Sequence, residues 1–481
     1  MRAALILAIL GGIAIVWGCS CGGDDARRDQ TIAWKSCGGG FDCGMLSVPM
    51  DYSHPNDKQI TLALTRLRAA DPNRRIGVLL LSPGGPGESG INAAHVAANS
   101  FPSAIRARFD IVGWDPRGSG ESSPVRCGET GASSSGGEST GAGEDAAISQ
   151  SIEQLMAFGE SCLRETGEEL RFVDTTSSAR DMEQIRTALH EKSFSFIGYS
   201  YGTFLGAQYA ELYPSRVRAF VLDSALDPAL GFEAEAEGRA VAAEGALRTF
   251  LADCAADSGC PFYDDGHSAA EFERLRDALD RNPIVAHLQS GDMKLDGSAF
   301  IQAVYQILMT GDWRTLARAL SDADFSRDGT LLASLVRTGN VRTTADQGDA
   351  RVATLCLDNP RPSRNELIAS ATRIDTEAPD FVGPIDTGCD GWPIAPTWHA
   401  HELNARGSPP ILVIGSVHDP VTPYKWSVSL ARQLTHGVLL SSEGHFHAVS
   451  FHSPSLSPCI DAAVTAYLDN LVTPTPGAIC P

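Results

Sequence analysis

Six short apolar runs recur along the chain, and each stops at or just before glycine or acidic residues. Runs this short suit strands that are buried on both faces of a sheet. A further stretch, residues 59–68, alternates apolar and polar side chains as a half-buried strand does. Helical patterns separate the runs at residues 176–190, 201–212 and 426–434. This alternation predicts an α/β fold with a mostly parallel central sheet covered on both faces. The six runs are residues 76–82, 109–114, 193–197, 218–222, 410–414 and 437–440.

Residues 229–408 interrupt the strand pattern and are rich in Ala, Glu, Arg and Leu, which favours helices. The chain has 481 residues and is 43% hydrophobic, so it can bury a large core. We therefore predict a large, mainly helical lid at 229–408, inserted into a core formed by residues 37–228 and 409–481. A purely structural insertion is the alternative. Residues 128–149, mostly Gly, Ser, Glu and Thr, are predicted to be a flexible surface insertion.

The N-terminus has the features of a signal for export. A basic start at Met1-Arg2 precedes the apolar residues 3–17, a run too short to span a bilayer comfortably. We predict a signal peptide at residues 1–18 and a tether at 19–36. The end of the apolar run resembles a bacterial lipobox, which implies lipidation of Cys19 and a place in the cell envelope. A secretory or periplasmic protein, cut nearby, is the alternative.

The net charge of the chain is -21 at pH 7, with a sequence pI near 4.9. A protein that neutralises phosphates needs a basic stripe, and none is visible, so nucleic acid is not an expected partner. The acidity indicates a well-solvated surface. It would also attract cationic ligands such as the amino termini of peptides.

Twelve cysteines are typical of an exported chain rather than a cytosolic one. Cys19 and Cys21 lie in or beside the signal, and the remaining ten form an even set that indicates disulfides. Connectivity stays a hypothesis at this stage. A metal site is the rival interpretation, but no pair of matched CxxC motifs is present. Pairing in sequence order gives Cys37–Cys43, Cys127–Cys162, Cys254–Cys260, Cys356–Cys389 and Cys459–Cys480.

A G-x-S-x-G motif at residues 198–202 follows one apolar run and opens a helical pattern. In this strand–turn–helix setting the motif is typical of a nucleophile elbow, a tight turn that exposes the serine hydroxyl. Glycines are needed because a Cβ would clash in so tight a turn. Ser200 is therefore the predicted nucleophile of a serine hydrolase with the α/β-hydrolase fold.

A serine hydroxyl needs a general base, and the base needs an orienting acid. In this fold the chain order is Ser, acid, His. Asp419 and His445 each follow an apolar run in that order, so we predict that they complete the triad. Their position after strands places them where catalytic loops of open α/β sheets gather.

Other residues compete for these roles. His447 lies two residues after His445 and is the alternative base, with His452 a weaker one. Asp223 follows the fourth apolar run, which is the second position for the acid known in this fold, although we expect it to shape the elbow. His418 is expected to be a supporting loop residue.

The turn at residues 83–87 is P-G-G-P-G and follows a buried apolar run. Glycine lets the backbone approach a substrate closely, so this turn suits an oxyanion hole. We predict that the amides of Gly85 and Tyr201 stabilise the oxyanion, with Gly84 as the fallback for Gly85. A plain Gly-Pro turn is the alternative.

The chain resembles the tripeptidyl aminopeptidase branch of the prolyl-aminopeptidase-like serine peptidases over most of its length. The resemblance implies an exported enzyme that removes short peptides from free N-termini, without a metal or organic cofactor. This chain differs from the family pattern at residues 444–446, where it has G-H-F in place of the common G-H-G. The shared motifs are S-P-G-G-P-G-E-S-G at 82–90, G-W-D-P-R-G-S-G at 113–120, T-T at 175–176 with A-R-D at 179–181, G-Y-S-Y-G-T at 198–203, V-L-D at 221–223 with D-P at 227–228, and D-P-V-T-P at 419–423 ahead of G-H at 444–445.

An exopeptidase of this kind needs an anion to bind the α-ammonium group of its peptide substrate. Candidates are Glu88 and the acids between Glu233 and Glu244, any of which could equally be a solvated surface residue. The rival functions are a carboxylesterase or lipase with the same triad and a non-catalytic binding module on a hydrolase scaffold. The intact triad disfavours the binding module.

Overall fold

A ten-stranded sheet forms the centre of the protein. The computed structural model describes residues 31–128, 144–289, 291–342, 345–381, 388–452 and 455–481. Its strands are β1 (Lys35–Gly38), β2 (Phe41–Pro49), β3 (Gln59–Leu67), β4 (Gly77–Ser82), β5 (Phe109–Trp114), β6 (Phe194–Tyr199), β7 (Val217–Asp223), β8 (Ile284–Leu288), β9 (Gly291–Leu295), β10 (Ile411–Ser416), β11 (Gly437–Ser442) and β12 (Ala478–Cys480). The order in the large sheet is β1-β2-β3-β5-β4-β6-β7-β10-β11-β12, and β8 pairs only with β9.

The sheet is parallel from β5 through β12 in this order, and antiparallel from β1 to β5. The mostly parallel sheet predicted from the apolar runs is confirmed. Because the carboxyl ends of parallel strands meet at one edge, the loops that follow β4, β6, β10 and β11 lie at the same edge of the sheet. These loops carry the serine motif, the glycine turn, Asp419 and the histidines.

Helices cover both faces of the sheet and form the insertion between β7 and β10. The predicted helices at 176–190, 201–212 and 426–434 correspond to α4, α5 and α13 below. The helices are α1 (Gly90–Ser100), α2 (Ser103–Arg108), α3 (Glu144–Thr166), α4 (Thr175–Ala188), α5 (Tyr201–Leu212), α6 (Phe232–Ala256), α7 (Ser268–Arg281), α8 (Gly297–Thr310), α9 (Trp313–Phe325), α10 (Thr330–Arg342), α11 (Ala345–Asp358), α12 (Arg364–Glu377), α13 (Tyr424–Gln433) and α14 (Pro458–Asn470).

Adjacent residues of the central strands point into two different hydrophobic cores. Leu80 and Phe196 pack in the core on one face of the sheet. Their neighbours Leu79 and Ile197 pack in the core on the other face. Both positions are apolar because both faces are buried, which is why these strands appear as continuous runs without alternation.

The insertion between β7 and β10 has a hydrophobic core of its own. Helices α6 to α10 contribute buried side chains to it, including Phe250, Phe272 and Phe300. The antiparallel hairpin β8–β9 also lies here, within the predicted lid (residues 229–408), and was not expected from the helical composition. None of the helices in the described part of the chain is long and apolar enough to cross a membrane.

Helix α8 ends at a turn that contacts the loop after β11. The side chain of Asp296 caps its start by accepting a hydrogen bond from the amide of Ala299. At its other end Gly311 adopts the left-handed conformation, with φ of 66°. A glycine is favoured there because other residues are strained at positive φ. We call residues 309–313, which join α8 to α9, the lid turn.

The described residues form five disulfides, in the pairing inferred from chain order. Two close short loops, and Cys459–Cys480 ties the start of α14 to the last strand. Cys356–Cys389 fixes the lid helix α11 to the segment that follows α12. The bridges are Cys37–Cys43, Cys127–Cys162, Cys254–Cys260, Cys356–Cys389 and Cys459–Cys480. Cys19, Cys21 and the predicted signal lie outside the described residues.

Part of the predicted flexible insertion at 128–149 is helical. Residues 129–143 lie outside the described residues, but α3 begins at Glu144. Ile148 is completely buried, which gives this part of the segment an apolar anchor. The last residues of the predicted insertion, from Glu144 onward, therefore belong to helix α3.

Candidate active site

Ser200 occupies a strained turn between β6 and α5. Its φ of 53° and ψ of -123° lie in a region that non-glycine residues rarely adopt. Its amide donates a hydrogen bond to the carbonyl of Asp223 at 3.0 Å, which ties the turn to the neighbouring strand β7. A Cβ on Gly198 would lie 2.3 Å from the carbonyl oxygen of Gly202, so the turn can close only with glycine there. This is the geometry of a nucleophile elbow.

Asp419 lies in the loop after β10, and its side chain is completely buried. One carboxylate oxygen accepts hydrogen bonds from the amides of Val421 and Thr422, at 2.8 and 2.9 Å. The other accepts the Thr422 hydroxyl at 2.9 Å. Burial alone would raise the pKa of Asp419, but His447, the Ser224 hydroxyl and the Thr422 amide together lower it. The buried carboxylate is therefore held in its charged form.

The carboxylate of Asp419 contacts His447 and not His445. Nδ1 of His447 lies 3.1 Å from both carboxylate oxygens. The prediction that pairs His445 with Asp419 is wrong, and His447, the alternative, takes this position. The side chain of His447 is 11% exposed, so its ring is largely shielded from solvent. An Asp-His pair of this kind fixes the tautomer that leaves Nε2 able to accept a proton.

His445 instead contacts the lid turn. Its Nε2 lies 3.1 Å from the carbonyl oxygen of Gly311, and its ring stacks on Trp313 with 3.8 Å between ring centroids. The amide of His447 also donates to the carbonyl of Met309, at 3.2 Å. Burial lowers the pKa of His445, which favours the neutral ring. These contacts dock the lid directly on the loop that carries His447.

Asp223 supports the His loop (residues 443–452), and among the described residues its side chain forms no hydrogen bond with a histidine ring. One carboxylate oxygen accepts the amides of Val449 and Ser450 at 3.1 and 2.8 Å, and the Ser450 hydroxyl at 2.6 Å. Its backbone carbonyl holds the amide of Ser200, which agrees with the expected part in shaping the elbow. Asp223 therefore connects the elbow to the His loop.

The glycine turn at residues 83–87, which we call the oxyanion turn, packs on the elbow. A Cβ on Gly84 would lie 2.7 Å from the Tyr199 carbonyl and 3.1 Å from Cβ of Ser200. Gly84 and Gly85 both have positive φ, of 112° and 106°. A side chain at Gly84 would thus be both strained and in contact with the nucleophile. The turn therefore lies directly against Ser200, the place where a backbone oxyanion hole would have to be.

A family model described as the alpha/beta hydrolase fold matches residues 77–449, a range that contains the elbow, Asp419 and His447. This chain belongs to the α/β-hydrolase family. The serine protease Hip1 of Mycobacterium tuberculosis is 35% identical over 515 residues, which cover 99% of this chain and 96% of that protein.

Two further relatives of this α/β hydrolase differ in their named activities. The tripeptidyl aminopeptidase of Streptomyces coelicolor is 29% identical over 91% of this chain and 83% of its own length. Carboxylesterase B of Mycobacterium tuberculosis is 33% identical over 90% of this chain and 85% of its own length. All three relatives support a serine hydrolase, and Hip1 and the tripeptidyl aminopeptidase support a peptidase.

The hydrolase also has a buried polar network behind the elbow, which the sequence did not indicate. The Thr175 amide and hydroxyl donate to Asp358 of α11 at 3.0 and 2.6 Å, and the hydroxyl also contacts that of Tyr201. Burial, with the nearby charge of Asp174, raises the pKa of Asp358 to about 8. The network links the lid to the residue that follows the nucleophile.

Thr422 is a further residue that sequence reasoning missed. Its hydroxyl lies 2.9 Å from Asp419 and 3.4 Å from Nδ1 of His447, so it touches both partners of the pair. A Ser or Thr three residues after an Asp commonly hydrogen-bonds to that Asp, and this spacing was the available signal.

Proposed function

We propose that this protein is an exported serine peptidase that releases short peptides from the N-termini of its substrates. The observation that carries the proposal is the buried Asp419–His447 pair at the same sheet edge as the strained Ser200 elbow. Similarity along nearly the whole chain to a serine protease adds to it. The resemblance to tripeptidyl aminopeptidases supports the proposed specificity for short peptides.

In the proposed mechanism Ser200 Oγ attacks the carbonyl carbon of the scissile amide while Nε2 of His447 takes its proton. Asp419 orients the imidazole and stabilises the imidazolium. The amides of Gly85 and Tyr201 stabilise the negative oxygen of the tetrahedral intermediate. His447 then gives the proton to the leaving amine, and water hydrolyses the acyl-enzyme by the same route.

The proposed exopeptidase needs an anion near the oxyanion turn for the substrate's α-ammonium group. Glu88 directly follows the oxyanion turn and is exposed. We place the α-ammonium group at Glu88 because this carboxylate lies next to the oxyanion turn, whereas the acids between Glu233 and Glu244 lie on the lid helix α6.

The lid (residues 229–408) is proposed to limit access to this site, because its turn contacts the loop of His447. We also propose export to the cell envelope, with Cys19 as the lipidated residue. The five disulfides support an oxidising compartment.

A carboxylesterase is the second candidate, because a relative with 33% identity carries that name. The same triad can hydrolyse amides and esters, so only measured substrate preference can distinguish a peptidase from an esterase. The test compares free and N-blocked tripeptidyl amides with simple acyl esters, using wild-type protein and Ser200→Ala as the blank. Turnover of free peptides that is lost on blocking supports the exopeptidase. Ester turnover without any peptide turnover contradicts the peptidase proposal and favours the esterase.

A further inference from the structure

The lid helix α11 packs directly on the oxyanion turn. A Cβ on Gly87 would lie 2.7 Å from the carbonyl oxygen of Gln347 and 3.2 Å from the amide nitrogen of Arg351. The two backbones therefore touch, and Gly87 is the residue that permits it. As a result, side chains of α11 reach the edge of the turn that contacts Ser200.

Arg351 is the charged residue of α11 at this edge. Its Nη1 donates a hydrogen bond to the carbonyl oxygen of Gly85 at 2.9 Å. The side chain is nevertheless exposed, and within the described part of the chain no carboxylate forms an ion pair with it. A guanidinium carries five N–H donors in a planar fork. The contact with Gly85 uses one of them, which leaves donors for a ligand beside the oxyanion turn.

A second cation, Arg239 of α6, lies close enough to act on the same region. Arg239, Glu88 and Tyr305 are the neighbours whose charges act on Arg351. Burial raises the pKa of Tyr305, and the charges of Arg239, Asp419 and Arg351 also act on this side chain. Arg239 forms an ion pair with Glu235 at 2.6 Å, so Arg351 is the better placed of the two to bind another anion.

We propose that Arg351 binds a carboxylate of the peptide substrate at the lid side of the oxyanion turn. The inference rests on the proposed peptidase function and adds a substrate class to it. Arginine suits this role because its planar fork matches a carboxylate with two parallel hydrogen bonds. The carboxylate has two sources in a short peptide, an Asp or Glu side chain and the free C-terminus.

A structural role for Arg351 is the competing explanation. By holding the Gly85 carbonyl, the guanidinium could simply fix the oxyanion turn. Loss of that contact would slow every substrate by the same factor. Loss of a carboxylate site would slow acidic substrates more than neutral ones, so the ratio of the two rates separates the explanations.

The experiment measures kcat/KM for matched peptide pairs with the full-length protein. One pair differs by Glu against Gln at a single position, and the other by a free against an amidated C-terminus. We expect the wild type to prefer the acidic member of at least one pair by about 10- to 100-fold, the range for charge-assisted hydrogen bonds. Arg351→Gln should reduce that ratio to about 1, and Arg351→Lys should keep part of it. The pair that responds identifies the source of the carboxylate.

Arg74→Gln is the matched control, because Arg74 is an exposed arginine just before β4, at the opposite end of that strand from the oxyanion turn. Its acidic-to-neutral ratio should equal that of the wild type. Peptide turnover with no acidic preference in the wild type, or an equal loss for both members in Arg351→Gln, overturns the inference alone. If the wild type cleaves no peptide but hydrolyses esters, the peptidase proposal fails and takes this inference with it.

Discussion

Both carboxylate oxygens of Asp419 lie 3.1 Å from Nδ1 of His447, whereas His445, two residues earlier, stacks on Trp313 of the lid. One loop thus carries two histidines with different contacts and roles. His447 faces the acid at the edge of the sheet, and His445 faces the lid turn. The catalytic loop and the lid contact are therefore parts of the same short segment.

Substitution of the two histidines should separate these roles. We expect His447→Gln to reduce kcat by about 10⁴-fold or more, because the general base is lost. His445→Gln should keep activity within about tenfold, since Gln can still donate to the Gly311 carbonyl. Hydrolysis of an activated ester and labelling by a fluorophosphonate measure both variants. Equal losses, or a larger loss in His445→Gln, would contradict the assignment of His447 as the base.

The two acids near the site can be distinguished in the same way. Asp419→Asn should lower kcat by about 10⁴-fold, because the amide favours the wrong tautomer of the imidazole. Asp223→Asn keeps an acceptor oxygen for Val449 and Ser450 and should cost less than about tenfold. Asp223→Ala leaves those buried donors unpaired and should lower the free energy of unfolding by about 1–3 kcal/mol. Steady-state kinetics and denaturant unfolding provide the readouts. A loss in Asp223→Asn as large as that in Asp419→Asn would mean that Asp223 is the catalytic acid.

Much of the fold was predictable because its signals are local. The strands β4 to β7, β10 and β11 are buried on both faces, so their apolar runs are visible without any knowledge of partners. The turn at Ser200 requires glycines for a local reason as well, because the backbones of Gly198 and Gly202 approach each other too closely for a Cβ. The position of Asp419 after β10 follows from the same strand pattern.

What the sequence could not provide depends on contacts between distant segments. His445 and His447 both follow β11, and contacts with distant segments distinguish them. Asp419 pairs with His447, whereas Gly311 and Trp313 of the lid turn engage His445. The hairpin β8–β9 and the edge strands β1 and β12 are short or exposed and lack a distinctive pattern. Arg351 and Asp358 reach the site only through the packing of α11.

The buried carboxyl of Asp358 should make stability depend on pH. Its pKa of about 8 in the folded protein is above the usual 3.8, so the folded state retains a proton that the unfolded state loses. The protonated group therefore stabilises the fold less and less as pH rises from about 4 to 8. Asp358→Asn cannot ionise, so its melting temperature should fall less than that of the wild type between pH 5 and 8.5. Scanning calorimetry measures both slopes. Glu366→Gln, a change at an exposed capping residue of α12, is the control and should follow the wild type in this range. Parallel slopes for wild type and Asp358→Asn would contradict a buried, protonated Asp358.

The contact between His445 and the lid turn should weaken in acid. Burial lowers the pKa of His445 below 6.5, with a further decrease from His418, and the Gly311 carbonyl and Asp253 only partly offset this. A histidine with a lowered pKa resists protonation while docked, so its contribution to docking is fully present above pH 6.5 and decreases as pH falls below it. Hydrogen exchange in residues 309–313 should therefore become faster from pH 7 to 5 in the wild type, after correction for the intrinsic rate. His445→Gln lacks the titrating group and should show a smaller change. His95→Gln, at an exposed histidine stacked on Phe41, should behave like the wild type. If His445→Gln exchanges with the same pH dependence as the wild type, His445 does not control the docking of the lid turn.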